Sequence, residues 1–160
     1  MRRLAASVVF GIAAQPALAL SCMAPDLARD FQRASESDQE YVVVVGDFEF
    51  TPFTSPDPSK VLPPGKGETK APARRIPARF EGETLSPQGF TTPLSADLTL
   101  EVSCIGPWCG HMEPGTYLAF MRRDAGALTL EVSACPSMIY ADPTPKMRQT
   151  VTQCLSGRCG

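Results

Sequence analysis

The sequence is poor in the residues on which catalysis and cofactor chemistry usually rest. It holds one histidine, His111, and one tryptophan, Trp108, among 160 residues. A lone histidine in a loop after Cys109-Gly110 is an ordinary surface residue, and no serine stands in the G-x-S-x-G setting of a hydrolase nucleophile. Pro63-Pro64-Gly65-Lys66-Gly67-Glu68 has the composition of a phosphate loop but no strand and helix to flank it. The C-x-x-C spacing of thiol oxidoreductases is missing. Carboxylates are scattered, and Glu36, Asp38 and Glu40 form a solvated run. Basic excess is missing as well: a formal net charge of −2 gives no footprint for nucleic acid or an anionic membrane. Beyond the first 19 residues no apolar window approaches the ~20 residues that span a bilayer. No cofactor and no catalytic residue is expected on these grounds.

What is present begins with an export signal. Arg2-Arg3 precede an apolar stretch from Leu4 to Ala14, and Ala17-Leu18-Ala19 forms an A-x-A cleavage site, so residues 1–19 read as a secretory signal peptide. The stretch is too short to span, and Gln15-Pro16 breaks its helix. Lipidation at Cys22 is the rival reading, against which Ala19 stands where leucine is usual. The expected destination is the periplasm or the outside, where disulfides persist.

All six cysteines follow the signal. Cys104 and Cys109 enclose Ile105-Gly106-Pro107-Trp108, and Cys154 and Cys159 enclose Leu155-Ser156-Gly157-Arg158. Such short turns bring Cα atoms within bridging distance. That leaves Cys22 with Cys135; the pairs Cys22–Cys109 and Cys104–Cys135 are the open alternative. Two C-x4-C pairs with His111 offer soft metal ligands, but the spacing is wide for structural zinc and an oxidising compartment competes for the thiols.

Along the mature chain, Leu27, Phe31 and Ala34 at i, i+4 and i+7 predict a short helix after Pro25-Asp26. Tyr41–Val45 is a β-branched block leading into Asp47-Phe48-Glu49-Phe50, a strand buried on both faces at its start, with Gly46 as a bulge or bend. From Pro52 to Pro72 there are six prolines in 21 residues, a long exposed loop carrying Lys60 and Lys66. Arg75–Phe80 fits an edge strand because of Pro77, and Glu81-Gly82-Glu83 reads as a turn. Leu98–Cys104 alternates as a half-buried strand, and Thr116–Met121 with Leu128–Val132 reads as an antiparallel hairpin. The tail 137–160 has too few apolar residues for a core element, beyond one helical turn or a covering strand at Met147–Val151. The expected fold is mainly β: a small closed five-stranded antiparallel barrel of the OB type with one short N-terminal helix. One domain would cover 20–136, followed by the bridged tail.

Cys22, the Tyr41–Phe50 strand, and Cys109-Gly110 followed by Glu113-Pro114-Gly115-Thr116-Tyr117-Leu118-Ala119-Phe120, Ala127-Leu128-Thr129-Leu130 and Cys135 resemble the netrin-like and tissue inhibitor of metalloproteinases superfamily. The resemblance covers residues 22–136 and implies an OB-type barrel whose hairpin is closed by a late cysteine. It also implies inhibition through the amine of an N-terminal cysteine in C-x-C. Here Leu20 and Ser21 precede Cys22, and Ala24 holds the place of the second cysteine. The reading that fits best is therefore an exported, disulfide-bridged, non-enzymatic binding module for an extracytoplasmic protein or other ligand. Pro107, Trp108, Lys60 and Lys66 would lie on its binding surface, although Trp108 also suits a plug against the disulfide. A metalloproteinase inhibitor comes second, an enzyme using His111 third.

Overall fold

The computed structural model describes residues 20–55, 74–105 and 108–159. The signal segment, Lys60, Lys66 and Pro107 lie outside these residues. Among the described residues the protein is mainly β, with a six-stranded sheet, a separate two-stranded ribbon and two helices. The strands are β1 Glu40–Glu49, β2 Arg74–Ser86, β3 Gly89–Val102, β4 Cys104–Ile105, β5 Trp108–Cys109, β6 Gly115–Asp124, β7 Ala127–Val132 and β8 Ile139–Ala141. The helices are α1 Leu27–Ser35 and α2 Pro145–Leu155.

The β-branched block sits in β1 and is used on both faces. Val44 and Phe48 join the main cluster with Phe80, Leu100, Met121 and Leu130. Val45 turns the other way, toward Leu118, Phe120 and Val151. The second face is covered by the helices. In α1 the stripe expected from spacing packs Phe31 edge-on against Phe120 with centroids 6.5 Å apart. Asp26 caps this helix, its Oδ1 accepting from the Arg29 N–H at 3.0 Å. In α2, Pro145 starts the helix after the Thr144 cap, and Val151 and Cys154 are buried. The tail thus contributes a core element, contrary to the composition-based expectation; Met147, Val151 and Cys154 at i, i+4 and i+7 are few but all on one side.

β1 pairs antiparallel with both β2 and β6, β2 pairs with β3, and β6 pairs with β7 and β8. The expected hairpin of β6 and β7 is present, joined through Ala125 and Gly126, both at positive φ. That is the backbone twist a two-residue hairpin turn prefers. Three expectations need correction. β3 and β7 pair in parallel over Thr99–Val102, so the sheet is not wholly antiparallel. Glu81-Gly82-Glu83 lies inside β2, and the chain reverses between Ser86 and Gly89. Gly46 is no bulge, because its register with Gly82 is unbroken. Instead the two glycines face each other across the strands, and Phe80 lies over the pair.

All three bridges are the ones favoured by spacing: Cys22–Cys135, Cys104–Cys109 and Cys154–Cys159. The last holds Cys159 beside α1, with its Sγ 3.5 Å from the Ala28 carbonyl oxygen. No helix among the described residues is long and apolar enough to cross a membrane.

α1 also ties down the chain leading into β8. The Asp30 carboxylate is only 1% exposed, and its Oδ2 accepts from the Met138 N–H at 2.8 Å and the Tyr140 hydroxyl at 2.7 Å. Removing it leaves two partly buried donors without an acceptor, so Asp30→Ala is expected to lose about 3 kcal/mol in urea unfolding. A loss below ~1 kcal/mol would show that water replaces the carboxylate freely. Burial, and then the bond to Asp30, push the Tyr140 pKa far above its ordinary 10.0. The unfolded chain ionises this phenol from about pH 10 while the folded chain keeps it neutral. Its stabilisation is therefore present below pH 10 and is lost as pH rises beyond that. Denaturation curves from pH 8 to 11 should show a shallower alkaline fall for Tyr140→Phe than for the wild type.

Candidate functional site

One end of the sheet gathers features that the sequence spreads over 90 residues, from Phe50 to Ile139. It is formed where β1, β3 and β7 end and where β2 and β6 begin. Beyond β1 the chain continues through Phe50 and Phe53, whose rings lie 6.0 Å apart. Phe53 is buried, with His111 edge-on at 5.6 Å and the Arg74 guanidinium 5.8 Å above its ring. Ser55 Oγ donates to the Gly110 carbonyl at 3.2 Å, and Arg74 Nη1 donates to the Thr54 carbonyl at 3.5 Å. Ser55 and Arg74 are the described residues on either side of the proline-rich segment; Ser55 is held to Gly110, and Arg74 is held to Thr54 and the Phe53 ring, which itself meets His111.

Gly110 explains why that stretch lies so close. Its N–H donates to the Ser103 carbonyl at 2.9 Å, Ser103 N–H donates to the Val132 carbonyl at 3.0 Å, and a Cβ at Gly110 would strike the Val132 backbone. The Cys104–Cys109 ribbon is thereby seated on the ends of β3 and β7. Trp108 is half-buried in this ribbon, paired with Ile105.

Beside it, β6 and β7 separate. They pair only over Arg122–Asp124, and β8 takes up the β6 edge at Tyr117–Ala119. The divergence opens an apolar groove of about 340 Å³ whose lining includes Met112, Tyr117, Val132, Pro136 and Ile139. His111 and Glu113 stand at its rim, half exposed, with Nε2 and Oε1 2.7 Å apart. Tyr117 donates its hydroxyl to the Glu113 carbonyl at 2.8 Å, and burial raises its pKa. The groove thus offers apolar surface with a polar, hydrogen-bonding lip.

Of the residues named from sequence, Trp108 and His111 are brought to this end. Phe53, Arg74, Met112 and Tyr117 were not singled out as site residues. The Phe50-x-x-Phe53 pair just after a strand was the available signal for the first; for Met112 and Tyr117 there was none, since they read as ordinary strand and loop residues. Among the described residues, no group of three or more histidine, cysteine or acidic side chains is placed to hold a metal ion. No family model, curated protein or solved structure matches the chain.

Proposed function

We propose that the chain is an exported, non-catalytic binding module built on a closed five-stranded OB-type barrel. It takes an apolar group of an extracytoplasmic partner into the groove between β6, β7 and β8. Closure is supported by the pairing of β1 with both β2 and β6 and of β3 with both β2 and β7. OB barrels bind through one face and its flanking loops. Export is supported by the signal-like residues 1–19 and by the three disulfides, which suit an oxidising compartment.

The observation that carries the reading is the convergence at one end of the sheet. Ser55 and the Phe53–Arg74 pair meet the Gly110–His111 stretch, which follows directly on the ribbon with Trp108, and His111 and Glu113 stand on the rim of the apolar groove. Apolar pockets with a few placed polar groups are the usual form of a ligand site. Ala141, exposed at the groove wall, provides the test. A partner captured from the exporting cell's envelope and repurified should bind Ala141→Phe about tenfold more weakly by calorimetry, since anchors in pockets dominate such interfaces. The melting temperature should stay unchanged. Equal affinity for the wild type, Ala141→Phe and Trp108→Ala would sink the proposal.

Metalloproteinase inhibition is a second reading, favoured by the Cys22–Cys135 bridge that the resemblance implies. It needs the α-amine of Cys22 to be free. Protein beginning at Cys22 should then inhibit, and protein beginning at Leu20 should not.

A further inference from the structure

A second, separate surface lies at the other end of β3. β7 pairs with β3 only from Thr99 to Val102, while β2 accompanies β3 from Gly89 onward. Among the described residues, Thr91–Asp97 therefore has no backbone partner on its second edge. Two prolines fix which groups point there. Pro77 pairs with Thr99 and Pro93 with Glu83, and a proline within a ladder sits where the residue's backbone groups point away from its partner. The register slips between Thr84 and Leu85 and leaves Thr91 without a partner, so alternation holds from Thr92 onward; it turns the N–H groups of Ser95 and Asp97, and the carbonyls of these residues and Pro93, toward the free edge.

Donors and acceptors repeating every ~6.8 Å along a strand match one kind of ligand, an extended polypeptide. The side chains narrow it further. Leu94 and Ala96 are half-buried and packed on the main cluster, so a strand laid beside them would cover them with every second side chain. On the opposite face Arg79 Nη2 donates to Ser95 Oγ at 2.9 Å and lies near Asp97 and Glu81, one cation against two carboxylates, with Asp97 89% exposed. The edge is locally acidic. A second copy of this chain would bring another Pro93 and another Asp97 to the same seam, doubling both the missing donor and the negative charge.

We propose that the free edge of β3, from Pro93 to Asp97, takes up an extended segment of a partner polypeptide as an added strand. Apolar side chains at alternate positions would cover Leu94 and Ala96, with a lysine or arginine opposite Asp97. The probe is the blocked peptide Val-Thr-Val-Lys-Val-Thr-Val, added at millimolar concentration to the ¹⁵N-labelled chain from Leu20 onward. Amide exchange at Ser95 and Asp97 is expected to slow by about tenfold or more, while Thr92, Leu94 and Ala96 are already protected by β2. Unchanged exchange overturns the proposal, and so does equal slowing by the same peptide N-methylated along one edge. Ser95→Pro removes one outward donor at a position equivalent to Pro93, and should weaken peptide binding. Undiminished binding to that variant overturns the proposal too. Should Ser95→Pro fail to fold, the N-methylated peptide still decides with the unaltered protein. Self-association by sedimentation that Ser95→Pro abolishes would replace the partner segment with a second copy.

Discussion

Replacing Gly46 by valine is expected to leave the chain unfolded or destabilised by more than about 4 kcal/mol, the largest effect of any single substitution considered. A Cβ at this position would strike the Glu81 carbonyl oxygen and would lie 2.6 Å from the Gly82 Cα and 2.9 Å from the Phe80 ring. The ring alone could swing aside. The backbone of β2 cannot, because Arg79–Thr84 is held on one side by β1 and on the other by β3. Moving β2 away would break the ladder on both sides of Gly46 and open the main cluster at Phe48 and Phe80, whose rings pack at 4.9 Å. Circular dichroism and guanidinium unfolding of Gly46→Val, with Gly126→Val as the control, are the check. The Gly126 position has no atom within 4 Å of an added Cβ, although its φ is positive. Equal losses at the two positions would mean that the close approach of β1 and β2 is not what sets the cost at Gly46.

Removing the Cys22–Cys135 bridge is expected to cost about 4–5 kcal/mol, because its cysteines stand 113 residues apart. Each of the other two bridges joins cysteines only five residues apart, and losing one should cost about 2 kcal/mol in the same chain-entropy model. The contrast is the informative quantity. Paired serine variants unfolded in guanidinium without reductant should order with the long bridge first by a wide margin. Similar losses for all three would mean that the denatured chain keeps its N-terminal segment near β7 without help from the bond.

Much of this architecture can be read from the sequence. The Leu27, Phe31, Ala34 stripe gives α1, alternation gives the β6–β7 hairpin, and the spacing of the cysteines gives the three bridges. The failures have physical causes. Glu81-Gly82-Glu83 looks like a turn because glycine between acidic residues is usual in loops; the need for glycine there comes from Gly46, 36 positions earlier, which no local window contains. α2 is missed because three buried side chains suffice when the surface they cover, around Val45, Leu118 and Phe120, is supplied by other elements. The parallel pairing of β3 with β7 depends on how the strands are connected, to which alternation is blind. At the candidate site, Trp108 and His111 stand out by rarity. The groove does not, since it arises where β6 and β7 diverge and is lined by residues of ordinary strand composition.

The double pairing of β1 bears on how the chain reaches this state. Val44 stands opposite Thr84 on one side and Ala119 on the other, partners 40 and 75 positions away. Few of its contacts are local, so the contact order is high and the expected folding time lies in the millisecond-to-second range. During that interval the Tyr41–Val45 block, apolar on both sides, is exposed to solvent. The two five-residue disulfide loops can close early from local encounters, whereas Cys22 and Cys135 meet only after β7 has found β3. Oxidation of the long bridge is therefore the event that reports completed assembly, and an oxidant acting before the two short loops close risks trapping Cys22 with one of their four thiols.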